Sequence, residues 1–148
     1  MLKLKISAPF ATFTPPESRE YFSTYSEPPE STVYGCLLSF IGETDPEKHR
    51  SSKLKINLTS APQKAKVIRK IFRFKVKNQL NHPTNKSLDY QEILCGVEFE
   101  VIIDSKEDPN NLEERLRNAI AHPETIDRFG ALSLGHSCDL IDDVYIVE

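Results

Sequence analysis

The chain has 148 residues, of which 39% are hydrophobic, and a formal net charge of −3, the size of one modest domain. No apolar run approaches the roughly 20 residues that a membrane-crossing helix needs, and MLKLKISAPF lacks the apolar centre of a secretory signal. The three cysteines, Cys36, Cys95 and Cys138, form no CxxC pair. We therefore expect a cytoplasmic protein with reduced, buried thiols and neither a disulfide framework nor a membrane span.

The segment LKLKIS (2–7) alternates apolar and polar residues and predicts a half-buried strand. PFATF ends it, and residues 14–30 form a long loop containing Pro15, Pro16, Pro28 and Pro29. A plain connection needs only a handful of residues, and proline restricts the backbone, so this loop is expected to hold a ligand. Ser31 is the expected N-cap of a helix over VYGCLLSFI, with apolar residues at 33, 36, 37, 40 and 41, and Gly42 its stop. Residues 44–52 are a polar linker. KLKINLT (53–59) predicts a second strand and SAPQ a turn. KVIRKIFRFKVK (66–77) predicts a long strand, with Ile68, Phe72, Phe74 and Val76 on one side and Arg69, Arg73, Lys75 and Lys77 on the other. The Asn-rich residues 78–90 are expected to be a mobile excursion. QEILCGVEFEVIID (91–104) predicts another strand. NLEERLRNAIAH (111–122) predicts a helix whose inner face is Leu112, Leu116, Ala119 and Ile120. RFGALSLGHS is a glycine-containing loop, and VYIV (144–147) a last short strand.

The order β, α, β, β(β), α, β predicts an α+β fold. It is the ferredoxin-like, RRM-like βαββαβ plan, one domain over 1–148 with an antiparallel sheet covered by two helices on one face. RNA-recognition modules use this plan, but the central strands carry no RNP-style aromatic pair, and fold alone assigns no function.

Charge is more informative. Residues 1–47 carry −4, residues 48–77 carry +11 with no acid among them, and residues 78–148 carry −10. Screening confines each charge to roughly 8 Å at physiological salt, so a local block outweighs the total. Lys66, Arg69, Lys70, Arg73, Lys75 and Lys77 are expected to follow an RNA backbone. In the opening loop, Thr24, Ser31 and Thr32 offer hydroxyls, with Arg19 beside them. Tyr25 and Tyr34 offer rings for a splayed base, and the helix start offers free N–H groups to a phosphate. Gly130 and Gly135 would let a backbone approach closely, with Arg128 and His136 at their flanks.

PFATF, TYSEPPESTVYGCLLSFIGE and YQEILCGVEFEV resemble the signatures of the CRISPR-associated Cas5 family of the RAMP superfamily, and RFGALSLGHS resembles the glycine-containing loop before the last strand of such proteins. The resemblance covers most of the chain. It implies a ferredoxin-like core with a protruding β-hairpin thumb, near residues 66–94 here. It also implies a subunit at the foot of a type I surveillance complex (Cascade). That subunit would bind the 5′ handle of the crRNA, pack on the backbone and large subunits, and meet target DNA through the assembled complex in defence against foreign DNA. Many relatives are longer, so this is a short version.

Some relatives cut precursor guide RNA without metal, using a Tyr, Lys and His group. Such chemistry needs a general base at the 2′-hydroxyl and a cation for the phosphate. His49, His82, His122 and His136 are scattered, and no spacing assembles such a set with Tyr21, Tyr25 or Tyr34. We therefore expect a non-catalytic protein, with a metal-independent endoribonuclease as the alternative. Asp139, Asp142 and Asp143 read as a charged surface turn, and neither metal nor cofactor is expected.

Overall fold

A computed structural model describes residues 1–18 and 21–147; Arg19 lies outside the described residues. The elements are β1 (Leu2–Ala11), β2 (Tyr21–Phe22), α1 (Glu30–Phe40), β3 (Lys53–Leu58), β4 (Gln63–Phe72), β5 (Lys86–Asp104), α2 (Leu112–Ala121) and β6 (Asp143–Ile146). No helix among them is long and apolar enough to cross a membrane. The architecture is α+β, as expected: one mostly antiparallel sheet with two helices.

The 19-residue β5 is the spine of the sheet. Along one edge it pairs β1, from Leu2↔Ile103 to Ala11↔Leu94. Along the other it pairs β3 with its C-terminal part, Lys53↔Asp104 to Leu58↔Phe99, and β4 with its N-terminal part, Gln63↔Cys95 to Phe72↔Lys86. Strand β6 adds antiparallel to β1, and β2 makes a short parallel pairing at Tyr21↔Tyr90 and Phe22↔Gln91. Between the β3 and β4 registers, Gly96 takes φ +74°. There the Ser60 hydroxyl donates to the Gly96 carbonyl and accepts from the Glu98 N–H.

Period-two alternation produces the core. Leu2, Leu4, Ile6 and Ala8 of β1 and Val97, Phe99, Val101 and Ile103 of β5 are buried with Val33 and Leu37 of α1 and Leu112 and Leu116 of α2. Each large side chain contributes about 1.5–3 kcal/mol. On the opposite face of the sheet, Lys3 pairs with Glu100 and Lys5 with Glu98, both at 2.9 Å.

Several expectations are corrected. Helix α1 begins at Glu30, not after a Ser31 cap. Pro29, at φ −62°, is the N-cap, and its carbonyl accepts from the N–H groups of both Thr32 and Val33. Proline fixes φ at the entry, and the helix starts with no side-chain cap. The basic strand ends at Phe72, so Arg73, Lys75 and Lys77 lie in the turn beyond it. Residues 86–90 belong to β5. The tip is closed by buried Asn85, whose side chain accepts from the Val76 N–H and donates to the carbonyls of Val76 and Gln79. All three thiols are free. Cys36 is buried, which pushes its pKa up to about 12, whereas Cys95 is half-buried and Cys138 exposed.

A polar cluster fixes the linker after α1 to α2. The fully buried His49 ring lies 2.6 Å from Asp108 through Nδ1 and accepts from Arg115 through Nε2 at 2.7 Å. Arg115 and Lys48 both pair with Glu43, at 2.6 and 2.7 Å. The Lys48 and Arg115 hydrogen bonds hold the Glu43 carboxyl at about 2, against an ordinary 4.5. A carboxyl depressed in the folded state stabilises it fully above the unfolded value, and that stabilisation is lost as pH falls towards the folded one. The urea midpoint is therefore expected to fall between pH 4.5 and about 2, and Glu43→Gln to flatten that fall; an unchanged profile in the variant would show that the cluster does not carry this stability.

Candidate nucleic-acid interface

Two buried polar side chains of β5 anchor the opening loop. The Glu92 carboxylate accepts from the Thr24 N–H (3.0 Å) and the Tyr21 hydroxyl (2.9 Å) and pairs with Lys64 (3.2 Å). The Thr24 N–H, aided by Tyr21 and Lys64, holds its pKa below the usual carboxylate value against the opposing effect of burial. Gln91 donates through Nε2 to the Thr12 hydroxyl (3.1 Å) and contacts His136 Nδ1 (3.3 Å). Thr12, Tyr21 and Thr24 are thus tied down by side chains of β5, which docks both ends of the loop beside that strand.

Where this loop meets α1 and the glycine-containing loop there is a cleft of about 290 Å³, walled by residues 12–14, Pro29, Thr32, Gly135 and His136. Gly135 takes φ +91°, and a Cβ there would stand 2.3 Å from the Thr12 carbonyl oxygen. Only glycine fits so close an approach.

Strand β4 and the N-terminal part of β5 run beyond the core as a two-stranded arm. Residues opposite one another in register share a face. One face therefore carries Lys66, Ile68, Lys70 and Phe72 opposite Glu92, Tyr90, Leu88 and Lys86. Ile68 (64% exposed), Phe72, Leu88 and Tyr90 lie open there. The alternation expected from sequence holds as far as Phe72, with Ile68 and Phe72 on one face and Arg69 on the other, and the apolar face is the open one. Arg69 is on the other face, above Phe22 (5.8 Å), and Arg73 pairs with buried Asp89 (3.3 Å). Lys66 lies over the Tyr21 ring (5.7 Å), so the arm face continues into the loop.

The structure brings some predicted residues together and separates others. Thr32 and Gly135 share the cleft, and Lys66 and Lys70 share the arm face. Lys75 and Lys77 are exposed in the turn beyond the arm, and Tyr25 is exposed on the loop. Thr24 is buried, its hydroxyl accepting from the Phe13 N–H and donating to the Tyr25 carbonyl, so it does not face a ligand. Tyr34 donates to the Pro46 carbonyl and packs on the core. Ser31 lies exposed, lining a neighbouring pocket with Tyr34 and Arg50. Gly130, at φ +82°, sits in open space beside exposed Phe129. The reading from sequence missed Thr12, Thr14 and Gln91. A buried glutamine among the apolar residues of QEIL was the only available signal. Asp139, expected on the surface, is buried with one carboxylate oxygen unpartnered among the described residues. No group of three or more His, Cys, Asp or Glu among those residues is placed to hold a metal.

Comparisons with known proteins bear on this geometry. The model of the CRISPR-associated protein (Cas5) family matches residues 1–138. A CRISPR-associated protein Cas5 of Myxococcus xanthus (strain DK1622) is 34% identical over 151 residues, covering 99% of this chain and 71% of that protein. Among solved structures, a chain of a CRISPR RNA-guided surveillance complex superposes with a TM-score of 0.70 at 13% identity over 95% of this chain. A second, described as a Cas protein, gives 0.58 at 15% over 94%. The chain spans 59% and 58% of the length of these two; at such identities the likeness is one of fold.

Gly135→Ala is expected to lower stability by about 3 kcal/mol, from left-handed strain plus the Thr12 clash, and Gly130→Ala by only about 1 kcal/mol from strain. Denaturant unfolding of both variants checks this, and equal losses would contradict the packing of the glycine-containing loop on Thr12.

Proposed function

The chain belongs to the CRISPR-associated protein Cas5 family, and from that premise we propose that it is a non-catalytic, RNA-binding subunit of a type I RNA-guided surveillance complex. It clasps the 5′ handle of the crRNA, caps the filament of backbone subunits, and contacts the large subunit in the cytoplasm. Target DNA is met through the assembled complex, where base pairing by the guide reads sequence and the protein supplies shape and charge. We read the order β6–β1–β5–β3/β4 as ferredoxin-like and the β4–β5 arm as the thumb.

The observation that carries this reading is the exposed arm face, where lysines alternate with apolar and aromatic residues. Lys66, Lys70 and Lys86 suit phosphates, and Tyr90 and Phe72 suit bases, which stack on rings whatever their identity. The open sheet face is a poorer platform, because its lysines already pair with Glu98 and Glu100. Binding without cleavage is supported by the cleft's histidine: both ring nitrogens of His136 are engaged, by Gln91 and Thr14, and among the described residues no lysine or arginine lines that cleft to balance a pentacoordinate phosphate.

The test is a salt series with labelled single-stranded CRISPR-repeat RNA, with and without the neighbouring subunits and without metal. Lys66→Ala/Lys70→Ala is expected to weaken binding about tenfold and to reduce the salt slope by about 1.4, two phosphate contacts at ~0.7 each. The RNA should stay intact. An unchanged affinity and slope would remove the arm from the interface, and cuts at a defined position in the repeat would make the protein an endoribonuclease.

A further inference from the structure

We propose that Gln91 is the positioning residue of the cleft. It locks His136 in one tautomer and so turns the Thr14 hydroxyl into a fixed donor for a phosphate oxygen of the bound strand. This rests on the RNA reading above.

Gln91 is 3% exposed and aims its amide nitrogen at two acceptors, Thr12 Oγ1 at 3.1 Å and His136 Nδ1 at 3.3 Å. Thr12 Oγ1 accepts from Gln91 because its own proton is directed at the Glu92 carbonyl (3.4 Å). Both amide protons of Gln91 are therefore assigned. A neutral imidazole that accepts at Nδ1 carries its proton on Nε2. That Nε2 lies 3.0 Å from Thr14 Oγ1. With His136 donating to it, the Thr14 oxygen keeps its own proton for an acceptor entering the cleft. Direction is thus passed along a chain: buried amide, imidazole, hydroxyl.

The lining fits an acceptor-rich, anionic ligand. Thr14 and Thr32 present hydroxyls, Gly135 and Pro29 leave the wall low, and no carboxylate among the described residues lines the space. The chain also makes the two faces of the imidazole unequal. Its buried side is held by the spine strand, and only its far side reaches the cleft. Gln91 touches no ligand and acts through His136.

The tautomer is read first, by ¹⁵N NMR of His136 in the wild-type protein, which is expected to show the proton on Nε2. A proton on Nδ1 would overturn the proposal whatever RNA binds. Gln91→Glu is the isosteric test: it replaces the donor with an acceptor and should move the proton to Nδ1, at a pH where the ¹⁵N shifts report a neutral ring. Thr14 then turns its proton inward to Nε2. Affinity for the single-stranded CRISPR-repeat RNA is expected to fall about tenfold. In a Thr14→Val background, Gln91→Glu should cost nothing further. The same loss in both backgrounds would assign the effect to charge repulsion and overturn the positioning role. Failure of the wild type to bind this RNA would overturn the RNA reading and with it the assigned ligand, whereas the other two failures leave that reading standing.

Discussion

Backbone hydrogen bonding along β5 is the constraint on which the rest of the structure depends. A strand of 19 residues has two edges of N–H and C=O groups, and buried ones must be paired. Over the core, β1 and β3 supply the partners, and helices cover one face. Past Gly96 β4 takes over one edge, and beyond Leu94 the side chains of one face leave the core. The arm is thus the consequence of continuing a strand beyond its own core. Its apolar side chains have nothing to pack under, and that leaves a surface suited to another molecule.

The same strand delivers the polar groups that shape the site. Within four residues it presents Asp89, Gln91 and Glu92, all buried and all engaged, with Arg73, Thr12 and His136, and Tyr21 and Thr24 respectively. Buried polar groups without partners would cost about 1–3 kcal/mol each. The partners come from the opening loop, the arm and the glycine-containing loop. Three segments far apart in sequence are therefore held by one strand, and the cleft lies where two of them, the opening loop and the glycine-containing loop, meet α1.

Much of the fold was legible in the sequence because period two and period 3.6 report burial directly. LKLKIS, KLKINLT, VEFEVII and NLEERLRNAIAH fell where alternation and capping placed them. The resemblance carried by PFATF and TYSEPPESTVYG gave the family, with the family model matching residues 1–138. The two sides of residues 66–72 were legible, but not which of them is covered, because alternation gives two faces and no more. Ile68 and Phe72 share the apolar side, and that side is exposed along the arm. The roles of Thr24, Gln91 and Asp89 depend on partners 11 to 79 residues away, which no local pattern encodes. Ser31 was misread as a cap because Pro29 supplies the helix entry through backbone stiffness.

The positive-φ Gly96 at the root of the arm gives the structure a lever. About ten strand residues lie beyond it, some 33 Å at ~3.3 Å each. A change of about 10° in backbone direction at that glycine would displace the far end by ~6 Å. The direction of the arm is thus set at its root by one backbone torsion and the Ser60 hydroxyl that braces it. A small change in that torsion would therefore re-aim the arm without altering any side chain on it.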